Sequence, residues 1–418
     1  MTNKMIKKMM MVVSLSISLT ACGTTMATTG ESDKITVVST ELIANESISP
    51  TTVATDTDVV DTGENSMAVS YEASLLETSE MFTSRDLEQE ADLAGGQYRT
   101  LASNEDLVIT EEGIYVLSGN VENTSVIVAV DDEAKVQLVL DGLTINNESA
   151  PAIYVKSGDK IFITTTDSIN SMEVRGVFEV DGDTNLDAVI FSKSDLVLNG
   201  IGSLAISSTT GNGITSKDDL KITGGTYTMA VAEDAIEAND SIRIHDGKLT
   251  IDTDKDALHS ENDEDTSLGY IYIEGGTLNI SAADDAIRGT SLVQIDGGTI
   301  NIATCAEGIE GTSIQINGGD IDIYATDDGI NAAAKSDYDV YIEVNGGNIN
   351  IVMASGDTDG FDANGDIIIN GGTISVEANS SFDADKSAVL NGGTVMVNGV
   401  IVTELPASQM GGGRSQRK

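Results

Sequence analysis

A pair of glycines that returns at a nearly constant interval constrains this chain more than any other feature. The first glycine of each pair, or the residue in its place, stands at positions 224, 246, 275, 297, 318, 346, 371 and 392. The steps are 22, 29, 22, 21, 28, 25 and 21 residues, so the period is near 22 with occasional insertions. Helical repeats have periods above about 30 residues. A period this short is typical of a solenoid of β-strands.

The segments between the glycine pairs alternate apolar and polar residues, as in 277–280 (TLNI) and 299–302 (TINI), which is strand spacing. Aligning the units gives a first inward-facing column of Ile214, Ile236, Leu258, Ile287, Ile309, Ile330, Phe361 and Phe382. A second inward-facing column contains Tyr227, Leu249, Leu278, Ile300, Ile321, Ile349, Ile374 and Val395. A third column of small residues predicts a tight corner at Ser216, Ala238, Ser260, Gly289, Gly311, Ala332, Ala363 and Ala384. We therefore predict an all-β fold, a right-handed parallel β-helix (β-solenoid) with about 22 residues per coil.

The beginning of the chain has the pattern of a bacterial lipoprotein signal. Three lysines precede an uncharged stretch, residues 9–20, that is shorter than the roughly 20 apolar residues of a membrane-spanning helix. Residues 19–22 (LTAC) resemble a lipobox, which predicts lipid attachment at Cys22. The alternative is an ordinary signal peptide with a cysteine there by chance. With Cys22 modified, Cys305 is the one cysteine left, so an intrachain disulfide is excluded.

Composition then divides the chain into four parts. We predict a lipoprotein signal at 1–22, a disordered acidic tether rich in Ser and Thr at 23–81, the β-helix at 82–405, and a flexible Gly-rich basic tail at 406–418. A short helix around 83–91 is expected to cap the fold. The tether would have a root-mean-square span of about 40 Å. The predicted location is extracytoplasmic, at the cell surface, with membrane contact through the lipid anchor alone.

The formal net charge of -46 excludes one class of partner and complicates another. Nucleic acid is excluded, because binding it depends on neutralising phosphates with Lys and Arg. Direct attraction to acidic polysaccharides is also disfavoured. A monomer with this charge needs its acidic groups either to point apart or to be balanced by cations.

A polar column precedes the first aliphatic column at each turn. It consists of Asn212, Asp234, Asp256, Asp285, Glu307, Asp328 and Asp359, which we call the acidic column. Carboxylates stacked about 5 Å apart repel one another by about 1 kcal/mol in water and by roughly 3 kcal/mol at a dielectric constant of 20. They must therefore take up protons, point outward or share cations. The alternative is that each residue caps its own turn, where Asp and Asn are common.

Calcium suits these turns best, because it accepts six to eight oxygen ligands in irregular geometry. Zinc and copper are disfavoured, because the chain has two histidines and one remaining cysteine. The predicted calcium ligands are Asp234, Asp256, Asp284, Asp285, Glu307, Asp327, Asp328, Asn331, Asp357, Asp359, Asp362 and Asn364.

Several phrases resemble a family of carbohydrate-binding, polysaccharide-lyase-like β-helix proteins. They are residues 151–156 (PAIYVK), 216–226 (SKDDLKITGGT), 269–277 (GYIYIEGGT) and 284–289 (DDAIRG), and the resemblance extends over about 82–414. It implies a right-handed β-helix, several calcium ions, and binding of acidic sugars and cellulose-like polymers without established catalysis. The metal sites that it implies are the D-D-[AG]-I turns at Asp284/Asp285 and Asp327/Asp328. Departures from the pattern are Lys255, Ala306 and Ser380–Ser381, where an acidic residue is replaced.

Three functions remain open at this stage. The favoured one is a surface module that holds an acidic or cellulose-like polysaccharide through calcium, with sugar contacts from Tyr270, Tyr272, Tyr338 and Tyr341. A pectate-lyase-like enzyme would need a cationic side chain of lowered pKa as base beside the metal, for which Lys255, Arg288 and Lys217 are candidates. We expect these three cations instead to form ion pairs that relieve the acidic column. The third function is a calcium-stiffened spacer or adhesin.

Overall fold

The computed structural model describes residues 75–356 and 358–406, and this part of the chain is a parallel β-helix of about 12 turns. Each coil averages about 24 residues, slightly more than the predicted 22, because of the insertions. The predicted solenoid of parallel strands is confirmed, since every strand pair is parallel except β33 (Thr394–Val397) with β34 (Val400–Val402), which form an antiparallel hairpin at the C-terminal end. The signal, Cys22, most of the predicted tether and the tail from residue 407 lie outside the described residues.

The coils build three sheets that run the length of the solenoid. Sheet A contains β1 (Gln97–Thr100), the first parts of β3 (Gly113–Glu122) and β5 (Lys135–Asn147), β7 (Lys160–Thr165), β10 (Asp195–Gly200), β13 (Asp219–Ile222), β16 (Ser241–Ile244), β19 (Tyr270–Ile273), the second parts of β21 (Ile287–Ile295) and β23 (Ile309–Ile316), β26 (Tyr341–Val344), β29 (Asp366–Ile369) and β32 (Ala388–Leu390). Sheet B contains the second parts of β3 and β5, β8 (Ile169–Val174), β11 (Ser203–Ser208), β14 (Thr226–Val231), β17 (Lys248–Thr253), β20 (Thr277–Ala282), β22 (Thr299–Thr304), β24 (Asp320–Ala325), β27 (Asn348–Met353), β30 (Thr373–Glu377) and β33.

Sheet C contains β2 (Leu107–Ile109), β4 (Val126–Ala129), β6 (Ile153–Ser157), β9 (Ala188–Ser192), β12 (Asn212–Ser216), β15 (Ile236–Ala238), β18 (Leu258–Ser260), the first parts of β21 and β23, β25 (Asp328–Ala332), β28 (Asp359–Ala363) and β31 (Ser380–Ala384). The chain follows the order C, A, B in each coil. The acidic column lies where sheet B gives way to sheet C.

The strand registers confirm all three predicted columns. The first aliphatic column pairs residue by residue along sheet C, from Ile214 with Ile236 to Phe361 with Phe382. The second does so along sheet B, and the small residues align at the end of each sheet C strand. These aliphatic side chains are almost completely buried, which gives the solenoid one continuous apolar core.

An amide ladder, which we did not predict, lies beside the glycine pairs. The Nδ2 atom of Asn317 donates to Asp296 Oδ1 at 2.7 Å, and Asn345, Asn370 and Asn391 continue the chain of donors at 2.8, 2.9 and 2.8 Å. The glycines that follow permit this corner for two reasons. A Cβ on Gly318 would lie 2.5 Å from the backbone oxygen of Asp296, and Gly319 has a φ of 101°.

Residues 75–92, which we call the strap, run across the outer surface of sheet A. Leu75, Leu76 and Phe82 pack against the buried cluster of Met81, Tyr270, Tyr272 and Leu292. The last residues of the predicted tether therefore already belong to the packed structure. The predicted helix at 83–91 is wrong, because this segment contains turns. The one helix in the described part of the chain is a 3-10 turn at Thr78–Glu80.

Residues 83–91 are not helical because tertiary contacts override local helix propensity in the strap. The Asp86 carboxylate is fully buried and lies 3.2 Å from Lys221 Nζ and 3.5 Å from Lys160 Nζ. Gln89 bridges the backbone oxygen of Thr223 and the backbone nitrogen of Gly200, both at 2.9 Å.

The described segments contain no helix that is long and apolar enough to cross a membrane.

We predict that the columns carry the stability of the solenoid. Ile309→Ala removes a fully buried side chain in the middle of the first column, and it should lower the free energy of unfolding by about 2–5 kcal/mol. Ile169→Ala is the matched control, because Ile169 is 82% exposed, and its effect should stay within about 0.5 kcal/mol. Urea unfolding measures both. Equal effects would contradict the assignment of Ile309 to the core.

Candidate functional site

The backbone stacks the acidic column as the sequence predicts, and the side chains reinforce the stack. The amide of each residue donates to the side chain of the preceding coil in three successive coils. The Asp234 amide donates to Asn212 Oδ1 at 2.9 Å, that of Asp256 to Asp234 Oδ1 at 3.1 Å, and that of Asp285 to Asp256 Oδ1 at 2.8 Å. The amide of Asp359 repeats this bond with Asp328 at 3.1 Å. One carboxylate oxygen of Asp234 and of Asp256 is thus used in the stack, and the other oxygen contacts His259 or Arg288.

The column brings titratable side chains together in three groups, in each of which the candidate ligand atoms lie within 4.8 Å of one another. The groups are Asp234 with Asp256 and His259, Asp256 with Asp284 and Asp285, and Asp285 with Glu307 and Glu310. Five of the predicted calcium ligands therefore converge. Glu310 was not among the predicted ligands. The repeat could have identified Glu310, because Glu310 follows Glu307 by three residues, just as Arg288 follows Asp285.

The remaining predicted ligands lie further along the column. Asp327, Asp328, Asp359 and Asp362 do not converge in a group of three in the described ranges. Asp357 lies outside the described residues. The two amides have other partners, since Asn331 Nδ2 donates to Glu307 Oε2 at 3.0 Å and Asn364 Nδ2 donates to Asp385 Oδ2 at 3.3 Å. Asn331 thus supports the third group from the next coil.

The first group already contains a cationic partner. His259 Nδ1 lies 3.1 Å from Asp234 Oδ2 and 3.5 Å from Asp256 Oδ2, and its Nε2 lies 3.0 Å from Glu261. Burial alone would lower the pKa of His259, but the hydrogen bond with Asp234 and its charge raise it. Burial opposes ionisation of Asp234 as well, and His259 outweighs this and lowers the Asp234 pKa. The imidazole therefore balances charge at this end of the column.

The second and third groups contain more carboxylates than cations, because Arg288 and Lys335 contact Asp256 and Glu310 and leave Asp285 and Glu307 without an ion-pair partner among the described residues. The Asp285 side chain is 5% exposed, and no hydrogen bond from the described residues reaches its carboxylate. Burial, followed by the charges of Asp256 and Glu307, raises the pKa of Asp285 to about 8. Burial and Glu310 raise the pKa of Glu307 to about 7, and burial and Asp362 raise the pKa of Asp328 to about 7. These groups fit a hard divalent cation with oxygen ligands, which would favour the ionised carboxylates.

The three candidate bases form ion pairs, but Arg288 alone among them pairs with a member of the acidic column. Lys255 Nζ lies 2.8 Å from Glu233, Lys217 Nζ lies 3.0 Å from Glu237, and Arg288 lies 3.6 Å from Asp256. The hydrogen bond with Glu233 raises the pKa of Lys255. Burial would lower the pKa of Arg288, but nearby carboxylates raise it. A base for β-elimination needs a lowered pKa, whereas the pKa values of Lys255 and Arg288 are raised. These shifts do not favour the lyase.

A further unpredicted contact lies next to the third group. The Nε atom of Arg288 and the Oε2 atom of Glu310 are 3.3 Å apart but do not form a hydrogen bond, and both are buried. Lys335, which belongs to the insertion at 333–341, forms an ion pair with Glu310. This insertion meets the one at 261–268, where Thr266 Oγ1 donates to Asp337 Oδ2 at 3.1 Å. The two insertions thus meet above the coils that carry the third group.

Three of the four tyrosines that the sequence suggests as sugar contacts are buried in this structure. Tyr270, Tyr272 and Tyr341 are 8%, 3% and 4% exposed, so their rings are not available to a sugar in this arrangement. The strap covers the first two, a contact that no local sequence pattern announces. Tyr338, in the insertion at 333–341, is 39% exposed and remains a candidate.

The fold and the site define a class, namely a parallel β-helix protein with a column of acidic side chains along one corner. A family model described as "Carbohydrate-binding domain-containing protein" matches residues 103–360 and 314–400. These matches cover well over half of the chain, and the chain belongs to this carbohydrate-binding domain family.

Two individual proteins are similar to the chain. A carbohydrate-binding domain-containing protein of Acetivibrio thermocellus is 34% identical over 130 residues, which is 30% of this chain and 46% of that protein. The match therefore spans less than half of the length of that relative. A solved structure of a polysaccharide lyase-like protein from C. thermocellum, a gadolinium derivative, is 26% identical, with a TM-score of 0.45 over 63% of this chain and 98% of that chain.

The raised pKa values predict how stability depends on pH. A carboxyl group whose pKa is raised by folding contributes stability that is present below its ordinary pKa, near 4, and is lost as the pH rises through the folded value. In chelator, the melting temperature should therefore fall between about pH 5 and pH 8, as Asp285, Glu307 and Asp328 ionise. Millimolar calcium should reduce this fall, because it binds the ionised groups.

The column-specific part of this effect can be isolated by mutation. Asp285→Asn together with Glu307→Gln should flatten the fall in chelator, whereas Asp132→Asn, which removes one exposed carboxylate elsewhere, should leave it unchanged. Melting curves from about pH 5 to pH 8 measure the effect. A wild-type melting temperature that stayed level or rose over this range in chelator would show that the column is not under charge strain.

Proposed function

We propose that this protein holds acidic polysaccharide at the cell surface through calcium bound in its acidic column. The observation that carries the proposal is that the second and third groups share Asp285 and contain more carboxylates than cations. Membership of the carbohydrate-binding domain family supports a glycan as the partner. The predicted lipid attachment at Cys22 supports the surface location.

Calcium resolves a conflict between the charge of the protein and the charge of the ligand. A chain with a net charge of -46 repels a polyuronate at long range. Calcium held by the column would supply coordination positions for a sugar carboxylate as well as for the protein. The side chains of Asp256, Asp284, Asp285, Glu307 and Glu310 are the ones that would hold it. Their residual repulsion favours occupancy, because each ion removes an unfavourable contact between carboxylates.

The neighbouring side chains would define which glycan can approach. Arg288 and Lys335 flank the third group and are both partly exposed, so they can pair with carboxylates that the ion does not bind. Tyr338 lies in the same insertion as Lys335 and offers an exposed ring. A cation, an ion site and an aromatic ring on one side of the solenoid suit a uronate polymer better than a neutral one.

The test is binding of polygalacturonate by the chain from residue 23, with calcium or with chelator. Binding should be much tighter with calcium than with chelator. Asp285→Asn should weaken it about tenfold or more, equivalent to about 1.4 kcal/mol, because it removes a ligand shared by two groups. Asp132→Asn is the matched control with the same change in charge and should bind as the wild type does. Dextran, a neutral polymer, controls for binding without carboxylates.

Isothermal titration calorimetry gives the affinities, and absorbance near 235 nm in the same samples reports unsaturated product. Binding that is as tight in chelator as in calcium, or that Asp285→Asn leaves unchanged in calcium, would contradict the role of the column. Accumulation of unsaturated product would show that the protein is a lyase and not a binding module alone.

A further inference from the structure

The outward face of sheet A differs from the remainder of this acidic molecule. Lys160, Lys221 and Arg243 project from three strands of this sheet, and Tyr270 and Tyr272 project from the strand that follows. Within the sheet, Arg243 already pairs with Asp219 at 2.7 Å and Lys160 lies 3.7 Å from Asp195, so Lys221 is the cation that depends most on the strap. The side chains of Gln294 and Gln315 continue the face over the next two coils. Cations, aromatic rings and amides are the groups that bind an acidic sugar chain, through its carboxylates, its ring faces and its hydroxyl groups respectively.

The strap, an acidic segment of the chain, covers this face. Gln315 and Gln294 accept hydrogen bonds from the backbone nitrogens of Leu75 and Leu76 at 3.2 and 3.0 Å. The Phe82 ring lies 6.3 Å from that of Tyr272. At the far end, the Asp86 carboxylate lies between Lys221 and Lys160 with no exposed surface. The strap thus places a carboxylate on the cations of the face, an apolar ring beside its tyrosines, and backbone N–H groups on its glutamine side chains.

We propose that the face of sheet A beneath the strap is a second binding site for uronate-bearing polysaccharide, which the strap keeps closed. The inference rests on the proposed function, because it takes an acidic glycan as the ligand. It assigns that ligand a site away from the acidic column. This site binds the sugar carboxylate directly through Lys221 and Lys160, the two partners of Asp86, and does not use calcium.

The ion pairs of the strap determine how it can open. Opening without a ligand would remove Asp86 from Lys221, while Lys160 would keep its contact with Asp195. An uncompensated buried charge at Lys221 is costly. A uronate carboxylate replaces Asp86, so one anion exchanges for another and the cations stay paired. Gly95 supplies a hinge between the strap and β1, since it has a φ of 84° and a Cβ at this position would have no neighbour within 4 Å.

The first experiment measures hydrogen exchange of the chain from residue 23 in calcium, with and without hexagalacturonate. The ligand should speed exchange of the amides in 75–92 by about tenfold, as expected if the open state is a minor population that binding enriches. Strands β16 and β19 should stay protected or gain protection. Cellohexaose, which has the same length without carboxylates, should leave exchange of the strap unchanged.

The second experiment weakens the strap in the same chain. Asp86→Asn should raise the affinity for hexagalacturonate about tenfold, because the competing carboxylate is lost. Glu80→Gln, which removes an exposed carboxylate six residues earlier in the strap, is the control and should change little. The gain should persist in chelator, which separates this site from the calcium column.

The outcomes distinguish the two proposals. If hexagalacturonate binds in calcium but neither strap exchange nor the affinity of Asp86→Asn changes, the second site is wrong and the proposed function stands. If the ligand opens the strap in chelator, the second site is supported even where calcium-dependent binding fails. Equal opening by cellohexaose would overturn the assignment of an acidic ligand. Absence of binding to wild type and Asp86→Asn alike would overturn both proposals.

Discussion

The stacking of coils through parallel backbone hydrogen bonds is the constraint from which the rest of this structure follows. Equivalent positions in successive coils lie about 4.8 Å apart, so each type of residue at one position becomes a column. A column of aliphatic residues is favourable, because each side chain packs on the next. A column of amides is favourable as well, because donors and acceptors alternate from Asp296 to Asn391. A column of carboxylates has neither advantage.

The acidic column survives through three kinds of compensation. Backbone amides from the next coil donate to the carboxylates of Asp234, Asp256 and Asp328. His259 and Arg288 supply positive charge beside Asp234 and Asp256. Neither kind is sufficient around Asp285 and Glu307, where burial and like charges raise the pKa values. A bound cation is the third kind that we propose, and it would connect the stability of the solenoid to its ligand.

The part of this structure that could be predicted from the sequence is the part that repeats. The aliphatic columns, the small-residue corner and the acidic column were readable because the period places their members in register. The strap has no period. Its key contact joins Asp86 to Lys221 across 135 residues, and only the folded structure brings them together. The helix prediction for 83–91 failed for that reason, and no sequence pattern indicated that the strap covers Tyr270 and Tyr272. Calcium itself remains a prediction.

The central claim is that buried carboxylates of raised pKa form a cation site, and proton release on calcium binding tests it most directly. Calcium titrations at about pH 7 in buffers of different ionisation enthalpy give the number of protons released per ion. We predict release of a substantial fraction of a proton, because Asp285 and Glu307 are partly protonated without the ion, and we predict that Asp285→Asn reduces it. Calcium binding without proton release, or no binding heat at all, would contradict the account.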